Sequence, residues 1–373
     1  MVVAGAVLGA CLRVGPSDAV QSHRDASTAP SRPATTASTA ATTSPPSSTT
    51  SSTTTTTAPT TTTTTVPSLA PSPRVGEVRL TFAHPSTGLR LPTVVLYPAR
   101  TGSTAAVNPG AQPLPGAHPL IVFAHGFLAL PSTYSALLDH WARAGFVVAA
   151  PIFPDTSARS PHPEETAIVH QPADVSFVIS SLLAQSRTRS SPLWGLISPR
   201  AIGVAGHSDG GDTVVALGYN SCCQDRRVRA VADLSGAEWP GFPPSWFQTG
   251  GPPLLVVQGT GDDINPPEDS KEIYESDPGP KWFLSILGGG HWSPYSSQTK
   301  VLEEQSARTG VPLAQVVRLT REELPVVART TTDFFEAELL GRTSADRRMV
   351  TDGNVAGVAS LTSANTGGGG PAP

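Results

Sequence analysis

Three short stretches carry residues that could do chemistry together. Gly206-His207-Ser208-Asp209-Gly210 sets a serine in the pattern G-x-S-x-G, the spacing of a nucleophile elbow between a strand and a helix. A serine hydroxyl is a weak nucleophile until a base takes its proton and a third group orients that base. Two later stretches supply both in the chain order serine, acid, histidine: TGDDINPP carries Asp262 and Asp263, and GGGHWSPY carries His291. Asp262 is the preferred acid because of its spacing, three residues after Gly259 and four before Pro266, with Asp263 as the alternative. The chemistry such a set performs is acyl transfer. On its own, Ser208 could be no more than the N-cap of a helix; its partners further along the chain turn the pattern into a site.

Acyl transfer also needs donors for an oxyanion. The backbone N–H of Asp209, just after the nucleophile, is one expected donor. The other is that of Phe127, in the early stretch His125-Gly126-Phe127. Neither His125 nor His207 sits where a general base is required, so both are expected to pack and hydrogen-bond around the elbow. Phe127, Trp239 and Trp292 are expected to form apolar walls for substrate. No metal or organic cofactor is required by this chemistry.

The elements that must position these residues are legible as alternating patterns. PTVVLYP (92–98), PLIVFAHG (119–126), FVVAAP (146–151), AIGVAGH (201–207), VRAVADLSG (228–236), PLLVVQG (253–259) and KWFLSILGG (281–289) read as strands. Several are apolar throughout, as strands covered on both faces are. Residues 132–145, 173–186, 208–217 and 321–340 have helical spacing of apolar residues. VGEVRLTFAH reads as an antiparallel edge strand. Strand-helix alternation predicts an α/β fold, a mostly parallel central sheet with helices on both faces. In such sheets ligands bind beyond the carboxyl ends of the strands, where all the candidate residues fall.

The remainder of the chain divides by composition. Residues 33–65 contain only Pro, Ala, Thr and Ser, with nothing to bury against the entropy of ordering. Residues 17–73 are therefore expected to be a disordered stalk, 74–340 the catalytic domain, and 341–373 a weakly structured tail. MVVAGAVLGAC reads as the end of a secretory apolar segment, and Leu8-Gly9-Ala10-Cys11 fits a bacterial lipobox, although no Lys or Arg precedes it. The segment 1–16 thus predicts export, with a lipid on Cys11 tethering the protein to a membrane. Cys222 and Cys223 are adjacent, and free thiols are expected there because a ring closed between neighbours is tight. A net charge of −4 and a charged fraction of 14% give no basic patch for nucleic acid. Past the N-terminus there is no run of 18 or more apolar residues.

The stretches PLIVFAHGF, STYSALLDHWARAGFVVAAP, QPADVSFVISSLL, AIGVAGHSDGG, LLVVQGTGDDINPP and GGGHWSPY together resemble the α/β-hydrolases. The similarity runs to secreted actinobacterial esterases near the dienelactone hydrolases, platelet-activating-factor acetylhydrolase-like proteins and cutinases. Dienelactone hydrolases use a cysteine nucleophile, whereas this chain has Ser208, which points to the esterase side. Cutinase-like members carry an aromatic, Met or Gln after the nucleophile, whereas this chain has Asp209, which counts against polyesters and long acyl groups. The resemblance implies a monomeric, exported serine hydrolase acting on a small or lipid-like carboxylic ester. An exported amidase or peptidase with the same triad is the first alternative. A non-catalytic binding protein on the same scaffold is the second.

Overall fold

The computed structural model describes residues 74–84, 88–248 and 250–365. The leader with Cys11, the Thr/Ser/Pro tract and residues 366–373 lie outside the described residues.

The chain begins with β1 (Arg74–Ala83), β2 (Arg90–Ala99), β3 (Val107–Pro109) and β4 (His118–Ala124). A short 3-10 turn then leads into α1 (Ser135–Ala144), followed by β5 (Val147–Pro151) and α2 (Gln171–Arg187). Next come β6 (Ile197–His207), α3 (Asp209–Tyr219), β7 (Ala230–Leu234) and β8 (Leu254–Gly259). The last elements are α4 (Pro267–Ser276), β9 (Lys281–Ile286), α5 (Thr299–Thr309), α6 (Leu313–Leu340), α7 (Thr343–Gly353) and β10 (Ala359–Ala364). They build one sheet in the order β10-β9-β8-β7-β6-β4-β5-β2-β1-β3. The six strands from β5 across to β9 are mutually parallel, while β2 and β10 join them antiparallel.

Residues in the parallel strands point alternately to the two faces, and each face has its own core. In β4, Ile121 and Phe123 join the core formed with Leu137 and Trp141 of α1 and Val327, Phe334 and Phe335 of α6. Their neighbours Leu120 and Val122 join the opposite core, with Val175 and Ile179 of α2, Val214 and Val215 of α3 and Ile273 of α4. This double coverage explains why these strands read as unbroken apolar runs. It also explains α2, which together with the 3-10 turn before it (Glu165–Arg187) is by length and composition apolar enough to cross a membrane. Its apolar residues Val175, Val178, Ile179 and Leu182 are instead buried on the sheet.

Three sequence expectations are corrected. β1 is antiparallel to β2 as expected, but it is not the edge, because β3 pairs along its outer side. The segment after 341, expected to be weakly structured, forms α7 and β10. β10 pairs antiparallel with β9 over six residues, and α7 buries Ala345 and Met349, the latter in the α6 core. β9 would otherwise be an open edge, and the small, weakly apolar residues that cover it give little signal on their own. Cys222 and Cys223, expected as free thiols, are joined in a disulfide. They sit in a turn just after α3 that the Asn220 side chain closes, its Oδ1 accepting from the Cys222 N–H at 3.1 Å. The ring closed between neighbours is tight, and the local turn accommodates it.

Candidate active site

The sheet order places the site. From β4 the chain runs outward to β5, then returns through α2 to β6 on the other side of β4. This reversal opens a crevice at the carboxyl ends of β4 and β6, the place where such sheets bind ligands. Register puts Ala124 at the end of β4 beside Gly206 near the end of β6, and His207 beside Leu234 of β7.

Ser208 stands at the turn between β6 and α3 with φ 56° and ψ −127°, a backbone conformation rarely tolerated by a residue with a side chain. The surroundings enforce it. The Ser208 N–H donates to the Leu234 carbonyl at 3.0 Å, and its own carbonyl accepts from Gly211 and Asp212 at 2.6 and 3.1 Å. A Cβ on Gly206 would lie 1.9 Å from the Gly210 oxygen, and one on Gly210 would lie 2.1 Å from the Ala124 oxygen. Only glycines on both sides of the serine let strand, turn and helix approach this closely. Ser208 is nearly buried, at 8% exposure.

The candidate acid and the candidate base meet as a buried pair. His291 Nδ1 lies 2.9 Å from Asp262 Oδ2 and 3.0 Å from Oδ1. Asp262 is fixed in place by the N–H groups of Ile264 and Asn265, each 3.0 Å from Oδ1. Burial raises the Asp262 pKa, but the His291 hydrogen bond and charge and these two N–H groups outweigh it, so the carboxyl stays below its usual range. An anionic Asp262 makes Nδ1 the protonated nitrogen and leaves Nε2 as the basic one. No hydrogen bond among the described residues engages Nε2. The neighbouring Asp263 is turned away and forms an ion pair with Arg308 of α5 at 2.5 Å. The base loop is pinned further by Gln305 of α5, whose Oε1 accepts from the N–H groups of Trp292 and Ser293 at 2.8 and 3.0 Å.

His207, next to Ser208, packs its ring 4.6 Å from that of His291 and donates from Nε2 to the His291 carbonyl at 2.9 Å. The elbow and the base loop therefore touch directly. Ser208 Oγ and His291 are not themselves hydrogen-bonded, and such pairs often tighten only once substrate is present.

On the other side of the serine, Gly126 is so close that a Cβ there would lie 3.1 Å from Ser208 Cβ. Phe127 follows, half-buried, before the positive-φ residue Leu128. The Leu128 N–H is bonded to Thr156 O at 2.8 Å, which ties this loop to the one after β5; the Phe127 N–H has no partner among the described residues. His125 donates from Nδ1 to the Gly126 carbonyl at 2.9 Å and accepts the Phe153 N–H at 3.2 Å on Nε2. Burial lowers its pKa to about 4, so it is neutral and serves as a strut for this loop. The sequence expectation that His125 and His207 pack and hydrogen-bond around the elbow holds.

Of the expected apolar walls, Trp292 is half-buried beside His207 and His291, at 4.9 and 5.4 Å between ring centroids. Trp239 packs over Gly241, with no ring contact to the other site residues. Sequence reading missed Tyr134, whose hydroxyl lies 2.9 Å from His207 Nδ1. Within a helix-like run nothing distinguished it from an ordinary core aromatic. A second unexpected feature is a set of buried acids on both sides of the sheet. Asp209 and Asp212 are both raised by burial, Asp209 further by Glu165 and Asp212 further by Asp209. Burial also pushes Asp233 and, in α6, Glu323 up to about 7. Asp209 Oδ2 and Asp233 Oδ2 lack hydrogen-bond partners, which a dry interior tolerates better in a neutral carboxyl than in a charged one.

Comparison with known proteins accords with this fold. The family model for chlorophyllase matches residues 104–233, about a third of the chain, which includes the elbow and ends before Asp262. Comparison with curated protein sequences finds no match. Among solved structures, a ferulic acid esterase from Streptomyces cinnamoneus is similar, with a TM-score of 0.59 and 21% identity. The similarity covers 79% of this chain and 97% of that one. The fold is that of the α/β-hydrolases. The structural similarity extends well beyond the family-model segment.

The buried acids make stability depend on pH. A carboxyl whose folded pKa is raised stabilises the fold fully below its ordinary pKa and loses that contribution as pH rises through its folded value. The melting temperature is therefore expected to fall between about pH 5 and about pH 8, with Glu323→Gln reducing the slope. Melts across that range check this; an unchanged slope in the variant would contradict the protonated assignment.

Proposed function

We propose that the protein hydrolyses carboxylic esters through an acyl-enzyme on Ser208, with His291 as base, Asp262 as the orienting acid and no cofactor. The observation that carries this reading is the buried His291–Asp262 pair at 2.9 Å, set in contact with a positive-φ serine through His207. Ser208 Oγ attacks the ester carbonyl while His291 Nε2 takes its proton. The N–H groups of Phe127 and Asp209 receive the oxyanion. A donor of that kind is worth about 3 kcal/mol in the transition state. His291 returns the proton to the departing alcohol, and Asp262 stabilises the imidazolium. Water then attacks the acyl-enzyme by the same route and releases the acid.

The chlorophyllase family match and the likeness to a ferulic acid esterase support an ester in place of an amide. Phe127 and Trp292 border the acyl site on this reading. Trp239 is proposed as a further apolar wall for substrate. The substrate is a small or lipid-like ester, and the enzyme acts as a monomer with no nucleic-acid partner. Export and a lipid tether on Cys11 belong to the same proposal and rest on Leu8-Gly9-Ala10-Cys11 and the tract at 33–65.

Labelling with a fluorophosphonate followed by peptide mapping is expected to place the probe on Ser208; folded protein without label would sink the nucleophile. Asp262→Asn is expected to lower kcat on nitrophenyl esters by about a thousandfold or more. Asp263→Asn should stay near wild type, since it loses only a surface ion pair. The reverse ranking would reassign the acid, and faster cleavage of matched anilides would shift the class to amidase. For the tether, labelled palmitate fed to a bacterial expression host should enter the wild type and not Cys11→Ser; equal labelling of both would rule it out.

A further inference from the structure

His207 is fully buried and spends both ring nitrogens on the two loops that flank Ser208. The Gly126 N–H donates to Tyr134 Oη at 3.2 Å, so the hydroxyl proton is left for His207 Nδ1 at 2.9 Å. On the other side, Nε2–H donates to the His291 carbonyl at 2.9 Å. The resulting chain runs Gly126, Tyr134, His207, His291, from the loop of the expected oxyanion donor to the loop of the base. Each link has one consistent donor direction, so the chain admits one His207 tautomer. Burial first, then the neighbouring His291, lowers the His207 pKa well below its ordinary value, so the ring stays neutral and cannot compete as a base.

The ring faces are committed as well. His207 packs against Tyr295 at 4.7 Å, Trp292 at 4.9 Å and Tyr134 at 5.4 Å between centroids. Tyr295 is itself fixed, donating to the Val257 carbonyl at 2.9 Å and accepting from Ser235 Oγ at 2.9 Å. The cluster thus ties the ends of β4, β6, β7 and β8 together beneath the serine.

We propose that His207 and Tyr134 are positioning residues for acyl transfer, a rigid hydrogen-bonded bridge that holds the Phe127 N–H and His291 in fixed relation to Ser208. The inference rests on the serine-hydrolase reading above. Neither residue touches substrate in this role. Each acts through the placement of groups whose displacement by an ångström is costly in rate.

Tyr134→Phe tests the bridge with little risk to folding, because the ring and its packing on Phe123 and Trp292 remain. It leaves the Gly126 N–H and His207 Nδ1 unpaired. The expected result is a kcat roughly tenfold lower with KM within about twofold, and a parallel fall in the rate of fluorophosphonate labelling of Ser208. His207→Gln, which restores one donor and one acceptor, should retain more activity than His207→Leu. The double variant Tyr134→Phe/His207→Gln should be no slower than the slower single, since both break one chain. A lowered melting temperature with unchanged kcat, or additive losses in the double variant, would overturn the bridge. Wild-type protein that labels at Ser208, with Tyr134→Phe labelling equally fast, sinks this inference and leaves the hydrolase reading standing. Wild-type protein that does not label sinks both.

Discussion

The backbone of Ser208 is the constraint on which the rest of the structure depends. A serine at φ 56° costs about 1–3 kcal/mol and persists only where its surroundings over-determine it. Here β6 lies between β4 and β7, α3 starts at the next residue, and glycines at 206 and 210 let these elements meet almost backbone to backbone. Each requirement reaches outward. The strands must be buried on both faces, which calls for α1 and α6 on one side and α2, α3 and α4 on the other. The two apolar cores supply the free energy that keeps the turn strained.

A lone hydroxyl would do little; on the proposed reading the remaining devices bring charge and donors to it. Asp262 is kept anionic in a buried place by His291 and two backbone N–H groups, so the imidazole presents Nε2 as its base. Gln305 holds the base loop from α5 and His207 holds it from the elbow. His125 and Tyr134 hold the facing loop from the β4 side. The site is thus a set of loops locked by buried polar bonds, where every missing partner would leave an unpaired group in a dry interior. The buried acids follow the same rule in another way, since burial favours their neutral forms.

The parallel core was legible in the sequence because double burial writes itself as unbroken apolar runs. PLIVFAHG, AIGVAGH and PLLVVQG each became a strand within a few residues of the expected bounds. The order of Ser208, Asp262 and His291 was legible for a related reason, since glycines must mark strand ends that approach other backbone. Features that depend on tertiary partners were not. β10 and α7 have modest apolar content and gain order by covering β9 and α6. Tyr134 looks like any core aromatic until the fold sets its hydroxyl against His207. The Cys222–Cys223 bond needed the turn closed by Asn220. Asp262 and Asp263 were separable only by spacing; Arg308, far along the chain, accounts for the second.

The central claim is that Ser208 carries the acyl group between two halves of the reaction. Rapid mixing with a nitrophenyl ester, acid quench within the first turnover, and mass analysis of the peptide containing Ser208 observe that directly. The expected result is the mass of one acyl group on the Ser208 peptide of the wild type and none on Ser208→Ala. Product release in the same mixing with no acylated peptide at any quench time, or an acyl group on another residue, would contradict it.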